Sequence, residues 1–290
     1  MTAQGLSVST YGPEDAPLTV FLAHCWTLNR SGWAYQVRDL QAEFGHDLQI
    51  ITWDHRGHGE SEAVRRDDCR IEMLARDWAE LIDTLAPAGP LVLAGHSIGG
   101  MTMMALAEQR PEIFTRVVGA AFVSTSSGAM DTVTLGLPEA GTLLRSQIPR
   151  MLALRSHTLS RRARTRAPVI ETLVMRRFVF GRPLRLTDVA LAVEGLISCP
   201  GDTVVGYYED CIRHERTRAL KVLDGIPTHV LVGSRDVLTP PAHARRIAEH
   251  VEGAVLTVAP GAGHMLPLER DDLVTGILAT LIRPHIPSAS

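Results

Sequence analysis

The sequence predicts an α/β fold: one core built on a mostly parallel, doubly wound sheet, with a helical cap inserted late in the chain. Short apolar runs without polar alternation recur along it, separated by helix-patterned segments. One run passes directly into a glycine-flanked serine and then a helix-like stretch. Between about residues 124 and 224 the strand signal disappears and the pattern turns helical.

The β-rich runs are residues 18–23, 48–53, 91–94, 117–123, 229–232 and 254–258. Helices covering both faces of a parallel sheet remove polar alternation, so runs this continuous read as buried parallel strands. Helix-patterned segments fall at 76–85, 101–109, 242–250 and 273–282. Strands alternating with helices imply right-handed crossovers in one sheet. The expected division is a core of residues 1–124 and 225–290 interrupted by a helical cap, 125–224. At 290 residues the chain would hold about two average domains by length alone, but one core with an insertion fits the pattern better.

Within the insertion, the stretch from Arg145 to Arg185 carries arginines at 150, 155, 161, 162, 164, 166, 176, 177 and 182 against a single acid, Glu171. It reads as a solvated helix surface in an arginine-rich chain, whose one lysine is Lys221, or as a surface attracting an anionic substrate, carrier or membrane. Met151, Leu152, Leu154, Leu159, Leu173, Val174, Phe178 and Phe180 are interleaved with these cations and either line an acyl pocket or pack the cap onto the core. Formal charge over the whole chain is -3, which gives no reason to expect nucleic-acid binding. Residues 1–7 lack the basic and apolar regions of a secretory signal, and no apolar segment approaches the ~20 residues of a membrane span, so a cytoplasmic location is expected. Cys25, Cys69, Cys199 and Cys211 share no metal-ligand spacing and are expected to be buried thiols.

The chemistry begins at Gly95-His96-Ser97-Ile98-Gly99, between an apolar run and a helix-like stretch. A serine on a tight strand-to-helix turn is presented above the sheet, and the flanking glycines leave room for a backbone that larger side chains would block. A serine hydroxyl is a poor nucleophile at neutral pH and needs a base, and the base needs a third group to fix its tautomer. Asp236 lies in Gly233-Ser234-Arg235-Asp236, and His264 in Gly261-Ala262-Gly263-His264, each on a loop after a strand, where α/β sheets keep their chemistry. His96 adjoins the serine and is expected to support or pack rather than to act as the base.

With the order Ser97, Asp236, His264, the chain resembles the α/β-hydrolase fold family, in its serine esterase- and lipase-like branch, over nearly its whole length. The resemblance implies that Ser97 attacks a carbonyl, His264 relays the proton and Asp236 orients the imidazole. It also implies an oxyanion hole made by the backbone amides of Ile98 and Trp26, the latter from the loop His24-Cys25-Trp26-Thr27. Cys25 stands where such relatives carry glycine, and a cysteine restricts the backbone more. Asp54-His55-Arg56-Gly57-His58-Gly59-Glu60-Ser61 resembles the D-x-R-G-x-G-x-S loop of the same branch, with Asp54 and Arg56 expected to hold neighbouring loops.

Epoxide hydrolases and dehalogenases of this fold carry aspartate in place of the serine, so Ser97 disfavours them. No phosphate-binding glycine motif is present and no cofactor or metal is expected. The reading is a serine hydrolase acting on a small-molecule carboxylic ester. The alternatives are a thioesterase or acyl hydrolase on a carrier-bound or polyketide-like product, with an anionic acyl carrier docking at the arginine-rich cap, and a non-hydrolytic ligand-binding protein.

Overall fold

The computed structural model describes residues 5–134 and 165–286, with single positions 147, 150, 151, 154 and 158 between them. Seven strands form one sheet: β1 (Val8–Tyr11), β2 (Leu18–Ala23), β3 (Leu48–Trp53), β4 (Leu91–His96), β5 (Val117–Val123), β6 (Thr228–Gly233) and β7 (Val255–Ala259). Their spatial order is β1-β3-β2-β4-β5-β6-β7, and only β1 runs antiparallel, against β3. The six parallel strands are the six read from the sequence, with ends shifted by at most a few residues. β1 carried no signal because it is a short edge strand, partly exposed and without an apolar run.

Side-chain alternation explains why the parallel strands look uniformly apolar. In β2, Phe21 and Ala23 enter one core while Leu18, Val20 and Leu22 enter the other, and in β4 Leu91 and Leu93 separate from Val92 and Ala94 in the same way. Both faces are therefore covered, and each large aliphatic side chain buried there contributes roughly 1.5–3 kcal/mol. The first core is closed by helices α2 (Ile71–Leu85) and α3 (Ile98–Gln109), and the second by α1 (Ala34–Phe44) and a C-terminal helix, Asp271–Ile282.

Two helices depend on tertiary partners, one for its start and one for its buried face. α2 starts five residues before the sequence pattern suggests, because its first amide, Ile71 N–H, donates to Asp210 Oδ2 at 2.8 Å, a carboxylate reaching over from a distant helix. α1 buries a polar residue, Gln36, whose Nε2 donates to the Pro267 carbonyl at 3.0 Å, so its buried face is not an apolar stripe.

Between β5 and β6 the described chain forms α4 (Val169–Val174), a π-helical turn (Met175–Val179), α5 (Leu186–Ser198) and α6 (Gly201–Arg213). A third apolar cluster joins these helices to the loops after β2 and β7: Met175, Val179, Val189 and Leu196 pack with Cys25, Leu28, Met265 and Leu268. After α6, Leu220 and Leu223 return to the first core. The chain then forms β6, α7 (Pro241–His250), β7, the short α8 (Leu266–Glu269) and α9, the Asp271–Ile282 helix. Among the described residues no single helix is long and apolar enough to cross a membrane. All four cysteines are free thiols.

Candidate active site

β4 delivers the chain into Ser97 at φ 56° and ψ -115°, a left-handed conformation that costs a side-chain-bearing residue about 1–3 kcal/mol. The turn is held from both sides. Ser97 N–H donates to the Val123 carbonyl at 2.9 Å, and the Ser97 carbonyl accepts from Gly100 N–H at 2.9 Å and from the Thr125 hydroxyl at 2.6 Å. Glycine is required on either side: a Cβ on Gly95 would lie 2.5 Å from Gly100 N, and one on Gly99 2.4 Å from the Ala23 carbonyl oxygen. α3 starts at Ile98, so the amides of Ile98 and Gly99 have no carbonyl within the helix to donate to.

Asp236 follows β6 and is buried in a shell of donors. Its Oδ1 accepts from the amides of Leu238 and Thr239 at 2.9 Å each, while Oδ2 accepts from the Thr239 hydroxyl at 2.9 Å and faces His264 Nδ1 at 2.8 Å. Burial works to raise this carboxyl pKa, but the His264 pairing and the Thr239 donors outweigh it and hold the value below the usual carboxylate range. An ionised Asp236 accepts only, so His264 presents a proton to it from Nδ1. Thr239 escaped the sequence reading, although a hydroxyl residue three positions after an aspartate is a spacing at which side chains bond the local backbone.

His264 is also fixed through its main chain. Its N–H donates to the Val179 carbonyl at 2.7 Å, and its carbonyl accepts from His96 Nε2 at 2.9 Å. Its ring hydrogen bonds among the described residues run to Asp236 and, at 3.3 Å, Thr239. His264 and Ser97 share the wall of one cavity, lined also by Trp26, Met101, Met175, Phe178, Leu238 and Met265. Asp236 thus pairs with His264, and His264 lines the same cavity as Ser97.

The β2 loop brings Trp26 to the same cavity, its ring 6.1 Å from that of Tyr208. The left-handed residue of this loop is Thr27, at φ 63°, and not Cys25, so the cysteine takes its place without glycine-only geometry. Cys25 is buried, its Sγ 3.9 Å from Met265 Sδ, and burial pushes its thiol up to about 12, which keeps it protonated. Beneath the loop, His24 Nε2 accepts from His55 N–H at 2.9 Å, so the His24 proton sits on Nδ1 and is donated to the Cys25 carbonyl at 2.7 Å. His55 returns a bond from Nε2 to the His24 carbonyl at 3.1 Å. Burial, reinforced by their mutual proximity, holds His24 well below the ordinary histidine value and His55 at about 3, and burial lowers His58 to about 4.

Asp54 accepts from the Arg30 amide at 2.8 Å and from Glu60 N–H at 2.9 Å and pairs with the Arg30 guanidinium, tying the loops after β2 and β3. Arg56 makes a two-pronged contact with the buried Asp77 on α2. The arginine-rich stretch is described in part: Arg150, Arg166, Arg176, Arg177 and Arg182 are exposed, while Arg145, Arg155, Arg161, Arg162 and Arg164 lie outside the described residues. Of the interleaved apolar residues, Val174 and Phe178 line the cavity, Phe180 is buried, Leu173, Met151 and Leu154 are exposed, and Leu152 and Leu159 lie outside the described residues. Among the described residues no cluster of His, Cys, Asp or Glu converges for a metal ion.

The sequence profile of the Alpha/beta hydrolase family matches residues 20–276. The chain is similar to monoglyceride lipase of Mus musculus, 27% identical over 241 residues that span 81% of this chain and 72% of that protein. It is likewise similar to 3-oxoadipate enol-lactonase 2 of Acinetobacter baylyi, 27% identical over 275 residues covering 93% and 91% of the two chains. Among solved structures, a thermophilic esterase from Thermogutta terrifontis shares the fold with a TM-score of 0.74 at 24% identity, over 97% of this chain and 94% of that one. A match over this much of the chain places it in the Alpha/beta hydrolase family.

Proposed function

We propose that the protein is a serine hydrolase that cleaves a small-molecule carboxylic ester through an acyl-Ser97 intermediate. The observation that carries this reading is the 2.8 Å contact between His264 Nδ1 and Asp236 Oδ2, in a histidine whose ring shares a cavity with the strained Ser97. In the first half-reaction Ser97 Oγ attacks the ester carbonyl and its proton passes to His264 Nε2. Asp236 stabilises the imidazolium without itself taking the proton. The oxyanion is received by the amides of Ile98 and Trp26, each such donor being worth roughly 10²–10³ in rate. Collapse breaks the bond to the alcohol, which leaves with the proton from His264. Water then attacks the acyl-enzyme by the same relay and releases the acid.

The cavity supports an acyl group without charge. Apart from His264, its described lining residues are apolar or neutral, and none of the five described exposed arginines contributes to it. The names of the relatives agree with ester chemistry, since a monoglyceride lipase and an enol-lactonase both open carboxylic esters. In this reading residues 125–224 act as the cap over a core of residues 1–124 and 225–290, with Met175, Phe178 and Val179 forming the wall that meets the acyl chain.

Intact mass after exposure to a small fluorophosphonate, on wild type and Ser97→Ala, tests the reading. A single adduct mapped to Ser97, lost in the variant and accompanied by turnover of p-nitrophenyl esters, is the expected result. Folded wild type that takes no adduct would overturn it in favour of a binding protein.

A further inference from the structure

Five residues after His264, at the end of α8, Glu269 turns its carboxylate back onto the loop it has just left. Three backbone amides converge on it. Gly181 N–H donates to Oε2 at 2.7 Å, Gly263 N–H to Oε2 and Oε1 at 3.0 and 3.1 Å, and Met265 N–H to Oε1 at 3.0 Å. Gly263 and Met265 flank His264, whereas Gly181 belongs to the segment between β5 and β6, two residues beyond the π-helical turn.

The same two stretches of chain are bonded directly as well. His264 N–H donates to the Val179 carbonyl at 2.7 Å and Arg182 N–H to the Gly261 carbonyl at 2.8 Å. They are pressed together too closely for side chains. A Cβ on Gly181 would lie 2.2 Å from the Gly261 carbonyl oxygen, and one on Gly263 would lie 2.5 Å from Gly181 N. Glu269 is half-buried, and burial drives its carboxyl pKa upward against these amide bonds. On the far side of the junction, Met175, Phe178 and Val179 form part of the cavity wall.

We propose that Glu269 is a positioning residue: by clamping the amides of Gly181, Gly263 and Met265 on one carboxylate, it locks the loop of His264 to the wall of the acyl pocket and so sets the imidazole against Ser97. The inference rests on the reading of His264 as the base for Ser97. It goes beyond that reading because it ties the placement of the base to the segment that meets the substrate. A displacement of about 1 Å in such a group costs up to roughly a hundredfold in rate. Gln at position 269 retains one acceptor oxygen but turns an NH2 donor toward amide donors, which opens the clamp without removing bulk.

The test measures kcat and KM for p-nitrophenyl acetate, the rate of fluorophosphonate labelling at Ser97 and the melting temperature, for wild type, Glu269→Gln, Gly181→Ala and the double variant. Gly181→Ala forces the same junction apart from the pocket side and decides the matter by the same kcat criterion if Glu269→Gln does not fold. The expected result, well below the melting temperature of each variant, is a loss of about tenfold or more in kcat and in labelling with KM within about twofold. The double variant should lose no more than the worse single, since both open one junction. Singles that melt earlier but keep kcat within about twofold would reduce Glu269 to a fold-stabilising residue and overturn the inference, as would losses that multiply in the double variant. Wild type without labelling at Ser97 would instead overturn the reading of the site, a failure separate from these.

Discussion

His96, the residue before Ser97, donates from Nε2 to the main-chain carbonyl of His264 at 2.9 Å. The strand that presents the serine therefore grips the backbone of the proposed base. Burial, with the neighbouring His264 ring, lowers His96 to about 3, so its ring is neutral across the physiological range and its single proton is committed to Nε2.

Replacing His96 with Phe keeps a ring in place but removes the donor. The buried His264 carbonyl would be left unpaired, at about 1–3 kcal/mol of stability. Urea denaturation at pH 7 should show that loss, and kcat for a short ester should fall by roughly tenfold as the base loses one of its two main-chain anchors.

Asp236→Asn should fold normally and lose about 10³–10⁴ in kcat. An amide at this position can donate to His264 Nδ1 and favour the proton on Nε2, where it cannot accept from Ser97. Circular dichroism separates this outcome from misfolding, and a loss below about tenfold would remove Asp236 from the relay.

Trp26 provides a test in two parts. If its amide serves the oxyanion, Trp26→Phe should retain kcat within a few-fold, whereas Trp26→Pro, which alone removes the N–H, should lose roughly 10²–10³. KM is expected to change in both, because the indole lines the cavity. Equal losses in kcat from two folded variants would assign the donor elsewhere.

The histidine cluster beneath the β2 loop sets an acid limit. His24, His55 and His58 are all lowered from 6.5, His55 to about 3 and His58 to about 4. The folded state keeps them neutral where the unfolded chain binds protons, so their contribution is fully present above pH 6.5 and is lost as pH falls toward 4 and below. Urea midpoints should therefore drop between pH 6.5 and 4.5, and the drop should be smaller in His58→Phe. An unchanged slope in that variant would place the acid sensitivity on other groups.

Much of this architecture was legible because physics leaves a one-dimensional trace. A parallel strand buried on both faces, such as Leu18–Ala23, sends Phe21 one way and Leu22 the other and needs apolar residues in both directions. A serine between glycines marks a turn that nothing bulkier can make. Features settled by distant partners left no such trace. The start of α2 depends on Asp210, the buried face of α1 contains Gln36, and Glu269 matters only once two loops have met.

At Ser97 the demands of folding and of the proposed reaction oppose one another within a single residue. A backbone at φ 56° suits glycine and burdens any residue with a Cβ, yet the Cβ is what carries the hydroxyl into the cavity. Ser97→Gly should accordingly melt at a higher temperature than the native chain while being inert toward esters, and calorimetry would reveal heat resistance gained at the one position where reactivity is surrendered.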